Sequence, residues 1–119
     1  MLIIEPIQGE GGDNHFRDEF FIALRQICDE HEILFIVDEV QTGIGRTGKF
    51  WAHEHFTVRP DMVCFGKKTQ ICGVLASTRL DEVAKNVFTE PSRINSTSGG
   101  NLVDMVRCAA ILKIIDKEK

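Results

Sequence analysis

The sequence predicts an α/β fold with parallel neighbouring strands, and three observations carry that prediction. Short apolar runs stand at 2–4, 34–37 and 62–65, each of strand length. Between the first two, Phe16, Phe20, Ala23, Leu24 and Ile27 recur at helical spacing, with Arg17, Asp18, Arg25 and Asp29 on the other side. Strand, helix, strand at this separation is the pattern of a right-handed βαβ unit.

Each element has a local reason. Pro6 ends the first strand, because it lacks an N–H donor and restricts Glu5. Residues 9–12 are a glycine-rich loop, and Asn14 or Asp13 is the expected cap of the first helix. The run 34–37 is wholly apolar and is expected to be covered on both faces. A loop follows at 42–48, then a short helix at 51–56, and Arg59-Pro60-Asp61 forms a turn before the third strand. A fourth strand is expected at 73–77 and a short amphipathic helix at 80–87. Residues 91–100 read as polar loop. The helix expected at 102–115 is apolar around much of its circumference, so it should pack against more than this chain supplies.

Length and composition narrow the function. The 119 residues make about one small domain, without repeats, low-complexity tracts or a linker. Hydrophobic residues are 43% and charged residues 27%, ordinary for a soluble globular chain. A net charge of −4 argues against bulk attraction to nucleic acid or an anionic membrane. No apolar run approaches the roughly 20 residues that span a bilayer. The N-terminus lacks the basic and long apolar regions of a signal peptide. Cys28, Cys64, Cys72 and Cys108 are scattered in mostly apolar surroundings, as buried thiols of a reducing compartment would be. A cytoplasmic protein is expected. Neither the Cys28 and His31 spacing nor His53-Glu54-His55 has a second ligand pair at a suitable distance, so no metal is expected.

The chemistry gathers at two strand ends. LFIVDEVQTGIGRTGKF (34–50) delivers Asp38, with Glu39 beside it, and DMVCFGKK (61–68) delivers Lys67, with Lys68 beside it. Such charges beside buried strands cost free energy unless something pairs with them. Residues 43–49 read G-x-x-x-x-G-K, most of a nucleotide-binding P-loop, but Phe50 cannot ligate magnesium as the required Ser or Thr would. The loop also fails to follow its strand directly, and the acidic strand end precedes it. In open α/β sheets ligands bind beyond the carboxyl ends of parallel strands. An aspartate that keeps a pyridine nitrogen protonated and a lysine that forms a Schiff base are the two side-chain roles pyridoxal phosphate requires. Spacing alone leaves that reading level with a plain Lys–Asp ion pair. Ser96-Thr97-Ser98-Gly99-Gly100, just before the last helix, suits either an anion site or a helix cap at Ser98.

Four runs together go further: EPIQGEGG (5–12), FIVDEVQTGIGRTGKFWA (35–52), PDMVCFGKK (60–68) and STSGGN (96–101). In order and spacing they resemble the central part of a class III, pyridoxal-phosphate-dependent aminotransferase of fold type I. FGKKTQICG (65–73) and PSRINSTSGGNLVDMVR (91–107) are most similar to the lysine 6-aminotransferase branch of that family. Lys68-Thr69-Gln70 replaces the Gly-rich stretch that many members carry after the lysine.

The resemblance implies a mostly parallel mixed sheet flanked by helices, residues 1–119 being the central part of the large cofactor-binding domain. It implies transfer of the terminal amine of L-lysine to 2-oxoglutarate, giving glutamate and 2-aminoadipate 6-semialdehyde, or else the same chemistry on ornithine or 4-aminobutyrate. Lys67 would hold the cofactor as a Schiff base and later carry the proton, with Lys68 a structural or solvated charge. Asp38 would pair with the pyridinium nitrogen, Val40 would wall the ring face, and Gln41 would hydrogen-bond near the phenolic oxygen. Thr97, with Ser96 beside it, would bind the phosphate of the cofactor held by the other subunit of a homodimer. Glu10 resembles the switch carboxylate that frees an arginine for 2-oxoglutarate. Glu5, Glu39 and Arg46 read as structural pairing groups, and Ser98 departs from the aromatic usual there. The first phosphate loop and the substrate arginine would lie outside this chain, which is expected to be a fragment inactive alone.

Overall fold

The computed structural model describes residues 1–94 and 99–118. Its strands are β1 (Leu2–Ile4), β2 (Ile7–Gln8), β3 (Asn14–His15), β4 (Phe35–Asp38), β5 (Met62–Phe65) and β6 (Gly73–Ala76). Its α-helices are α1 (Asp18–Glu30) and α2 (Leu102–Lys117). The main sheet has the order β1-β4-β5-β6, and β2 with β3 forms a separate ribbon. β1 pairs with β4 and β4 with β5 in parallel, whereas β6 runs antiparallel to β5. The sheet is thus mixed and mostly parallel, as the family resemblance implies.

Register sorts the side chains. Leu2 stands opposite Phe35, and Ile4 beside Val37 and Val63, so these residues share one face. α1 covers that face with Phe21, Leu24 and Cys28, and Phe56 and Val58 close it. Phe21, Cys28, Phe35 and Val37 are each at most 1% exposed. Phe21 packs its ring 4.2 Å from that of Phe56. Side chains of this size contribute about 1.5–3 kcal/mol each on full burial, so this layer is the chief source of cohesion. Ile36 and Asp38 point to the opposite face, in register with Met62 and Cys64.

A charged clamp holds the far edge of the sheet. Asp61, just before β5, is buried and accepts from the Phe35 N–H at 2.8 Å and from Arg25 Nη1 at 3.0 Å. Arg79 Nη1 reaches both Asp61 Oδ2 at 3.4 Å and Asp29 Oδ1 at 2.9 Å. The clamp thereby ties α1, the start of β4 and the segment after β6. Its partners are far apart in sequence, and reading 59–61 as a turn gave no sign of it.

Several expectations need correction. Asn14 does not cap α1, because it lies in β3 and donates to Gln8 Oε1 and Gly11 O. Asp13 does not either: the N-cap is Arg17, which makes no side-chain cap bond. Residues 80–87 are not an amphipathic helix. A 3-10 helix at Thr78–Glu82 gives way to turns, since buried Asn86 donates to Leu80 O and Val83 O and accepts from the N–H groups of Phe88 and Thr89. An amide that satisfies so much nearby backbone competes with helix. The short helix expected at 51–56 is a 3-10 helix, Ala52–His55.

At α2 the cap is Asn101, whose side chain accepts from the Val103 and Asp104 N–H groups. Ser98 lies outside the described residues. α2 has no buried residue, in line with its apolar circumference; Leu102 is 77% and Val106 72% exposed. Among the described residues no helix is long and apolar enough to cross a membrane.

Candidate active site

Parallel pairing brings the carboxyl ends of β4 and β5 to one edge of the sheet, where Asp38 and Lys67 follow. Asp38 stands in register with Cys64. Its Oδ1 accepts the Val40 N–H at 3.0 Å, a local turn bond typical of aspartate. Among the described residues Oδ2 accepts no hydrogen bond. Burial, and after it the Asp38 charge, raises the pKa of the Cys64 thiol, which marks how close that carboxylate lies.

Gly66 joins β5 to Lys67 in extended backbone. A Cβ there would come 3.0 Å from Cys72 Sγ and 3.5 Å from Val40 Cγ1. The end of β5 therefore rests on Val40. Lys67 has a left-handed backbone (φ 46°), opens a 3-10 helix at Lys67–Thr69, and is exposed. Lys68 differs: its Nζ donates to Ile44 O at 3.3 Å, which ties it to the loop after β4. That contact agrees with reading Lys68 as a structural charge.

Gln41 meets the first loop. A Cβ on Gly9 would come 2.6 Å from Gln41 Oε1, so a larger residue there would require the Gln41 amide to shift. The contact places the exposed Glu10 in a loop that abuts Gln41. Glu5 Oε2 accepts the Gly9 N–H at 3.4 Å, matching its structural reading. Arg46 is exposed. Ser96 and Thr97 lie outside the described residues. The glycines after them, Gly99 and Gly100, line a cavity of about 560 Å³ together with Val40, Cys64, Cys72 and Ile94. The Val103 and Asp104 N–H groups are already held by the Asn101 cap.

Glu39 is 1% exposed and does not line this cavity. It accepts from the Ala52 N–H at 2.7 Å, the His53 N–H at 2.8 Å and Thr42 Oγ1 at 3.3 Å, and lies 2.8 Å from His53 Nδ1. The structural reading of Glu39 agrees with these bonds, but the part of His53 was missed. Nothing in the sequence singles His53 out from Glu54 and His55; only the fold brings it against Glu39.

These residues fit pyridoxal phosphate. Asp38 offers an acceptor oxygen at a parallel strand end, Lys67 an amine after the next strand, and Val40 an apolar wall that lines a cavity with room for a ring. The chain is a class III aminotransferase family member: the family profile, "Aminotransferase class-III", matches residues 1–119. That family is pyridoxal-phosphate-dependent.

More particularly, the chain is 63% identical over 117 residues to the L-lysine-epsilon aminotransferase of Mycobacterium tuberculosis strain H37Rv, covering 98% of this chain and 26% of that protein. It is 55% identical over 116 residues to the enzyme of the same name from Streptomyces clavuligerus, covering 98% of this chain and 25% of that protein. The solved structure of lysine aminotransferase from M. tuberculosis superposes with a TM-score of 0.91 at 63% identity, over 98% of this chain and 27% of that one. The chain thus spans about a quarter of the length of the relatives it matches.

Proposed function

We propose that this chain is the cofactor-anchoring core of a pyridoxal-phosphate-dependent aminotransferase that moves the terminal amine of L-lysine to 2-oxoglutarate. The observation that carries the reading is the delivery of Asp38 and Lys67 to one sheet edge by adjacent parallel strands, with Val40 against the Gly66 backbone. The preference for lysine is supported by the names of relatives 63% and 55% identical.

When bound, pyridoxal phosphate supplies an aldehyde and an electron-withdrawing ring. Asp38 would hold the ring nitrogen through Oδ2, which accepts no other hydrogen bond among the described residues. Val40 packs on the ring face and excludes water from it. Gln41 donates toward the phenolic oxygen. Lys67 would hold the cofactor through its amine, and as a free amine it would serve as general base and then general acid. Ser96 and Thr97 bind the phosphate of the cofactor in a second copy of the chain, so a homodimer completes the site. Glu10, in the loop against Gln41, releases an arginine cation when the α-carboxylate of 2-oxoglutarate enters. The products are glutamate and 2-aminoadipate 6-semialdehyde.

Borohydride reduction of the cofactor-loaded full-length enzyme, followed by peptide mass spectrometry, tests the anchor. The cofactor is expected on Lys67, and its absorption band is expected to vanish in Lys67→Ala and persist in Lys68→Ala. A tag on Lys68 would reverse the assignment. Assays with lysine, ornithine and 4-aminobutyrate side by side test the donor, and faster turnover with either of the last two would sink the lysine reading.

A further inference from the structure

The turn after Lys67 is strained at two places. Lys67 and Gln70 both have left-handed backbone, with φ of 46° and 61°. Glycine adopts that conformation freely, and a side chain there has to repay its cost by some contact. Gln70 makes three. Its backbone N–H donates to Lys67 O at 3.0 Å, and its side-chain Nε2 donates to the same oxygen at 3.2 Å. Its Oε1 lies 3.5 Å from Arg107 Nη1 on α2, and Asp104 Oδ1 steadies that guanidinium at 3.2 Å. The backbone bond would survive a glycine, but the two side-chain bonds would not. Thr69 between them is 1% exposed and donates to Ile71 O at 2.6 Å, so the turn is packed on its inner side too.

We propose that Gln70 is a positioning residue: it grips the carbonyl of Lys67, is latched to α2 through Arg107, and so sets the direction in which the Lys67 amine leaves the turn. This rests on the assignment of Lys67 as the cofactor lysine. A residue that merely filled a surface turn would be served as well by glycine, without strain. The amide is what glycine cannot supply, and it acts on the main chain of the lysine itself.

Gln70→Gly separates the two roles, because it relieves the backbone while deleting the grip. In the cofactor-loaded enzyme the variant is expected to keep or raise its thermal midpoint. Its kcat is expected to fall about three- to tenfold, the weight of a typical net hydrogen bond, with KM for the amino donor little changed. The pH midpoint of the cofactor–lysine absorption band is expected to move. Arg107→Ala should displace kcat and midpoint in the same direction by less. Wild-type kcat and an unmoved midpoint in Gln70→Gly, with the borohydride tag still on Lys67, overturn the proposal. A tag elsewhere than Lys67 instead overturns the assignment beneath it, and the proposal with it.

Discussion

Glu39 holds the Ala52 and His53 N–H groups, the Thr42 hydroxyl and the His53 ring through a side chain that water hardly reaches. Glu39→Ala would leave buried donors without partners, at about 1–3 kcal/mol for each. A loss of about 3 kcal/mol or more in unfolding free energy is expected, measured by the denaturant midpoint; a loss under about 1 kcal/mol would show that the loop after β4 holds without it. At this scale the sequence was legible where chemical type and strand-end position coincide. Asp38 and Lys67 stand out as charges after apolar runs. Asp61, His53 and Gln70 do not, because their importance lies in partners brought near by folding: Arg25 is 36 positions from Asp61 and Arg107 is 37 from Gln70.

Elements were legible wherever hydrophobic period decided them. The four strands of the main sheet and both α-helices fall within a few residues of expectation, whereas the β2–β3 ribbon was not expected. The exceptions arise where a single amide satisfies backbone locally, as Asn86 does after β6 and Asn14, through Gly11 O, in β3. α1 instead has its start fastened from outside. Asp18 accepts the Thr57 N–H at 2.8 Å and also the Thr57 hydroxyl, and these bonds lower its pKa from 3.8. A depressed carboxyl pKa means stability that is fully present above the unfolded value and lost as pH falls through the folded one. Replacing Thr57 by Val is therefore expected to lower the thermal midpoint at neutral pH and to flatten its decline below about pH 4. An unaltered acid slope in that variant would refute the link.

Across the whole molecule the two sides of the sheet differ. One is sealed by α1, while α2 touches the turn after β5 and leaves Leu102, Val103, Val106 and Ile114 each more than 60% exposed. Apolar residues on one helix at such exposure favour association. The 119-residue chain is expected to sediment above monomer mass as its concentration rises. Val106→Glu should suppress this while changing stability by less than about 0.5 kcal/mol, since the site is at the surface. A strictly monomeric parent chain at all concentrations would contradict the expectation. The sheet's two-sidedness has a further consequence for β4. Asp38 and Glu39 are neighbours with opposite duties, one ending β4 with an oxygen left open and one buried against Thr42, Ala52 and His53. Deleting a single codon between Phe35 and Asp38 would bring Glu39 to the station of Asp38 and drive Asp38 into the core place of Val37. This short stretch should therefore tolerate a change of length even less than a change of its buried residues.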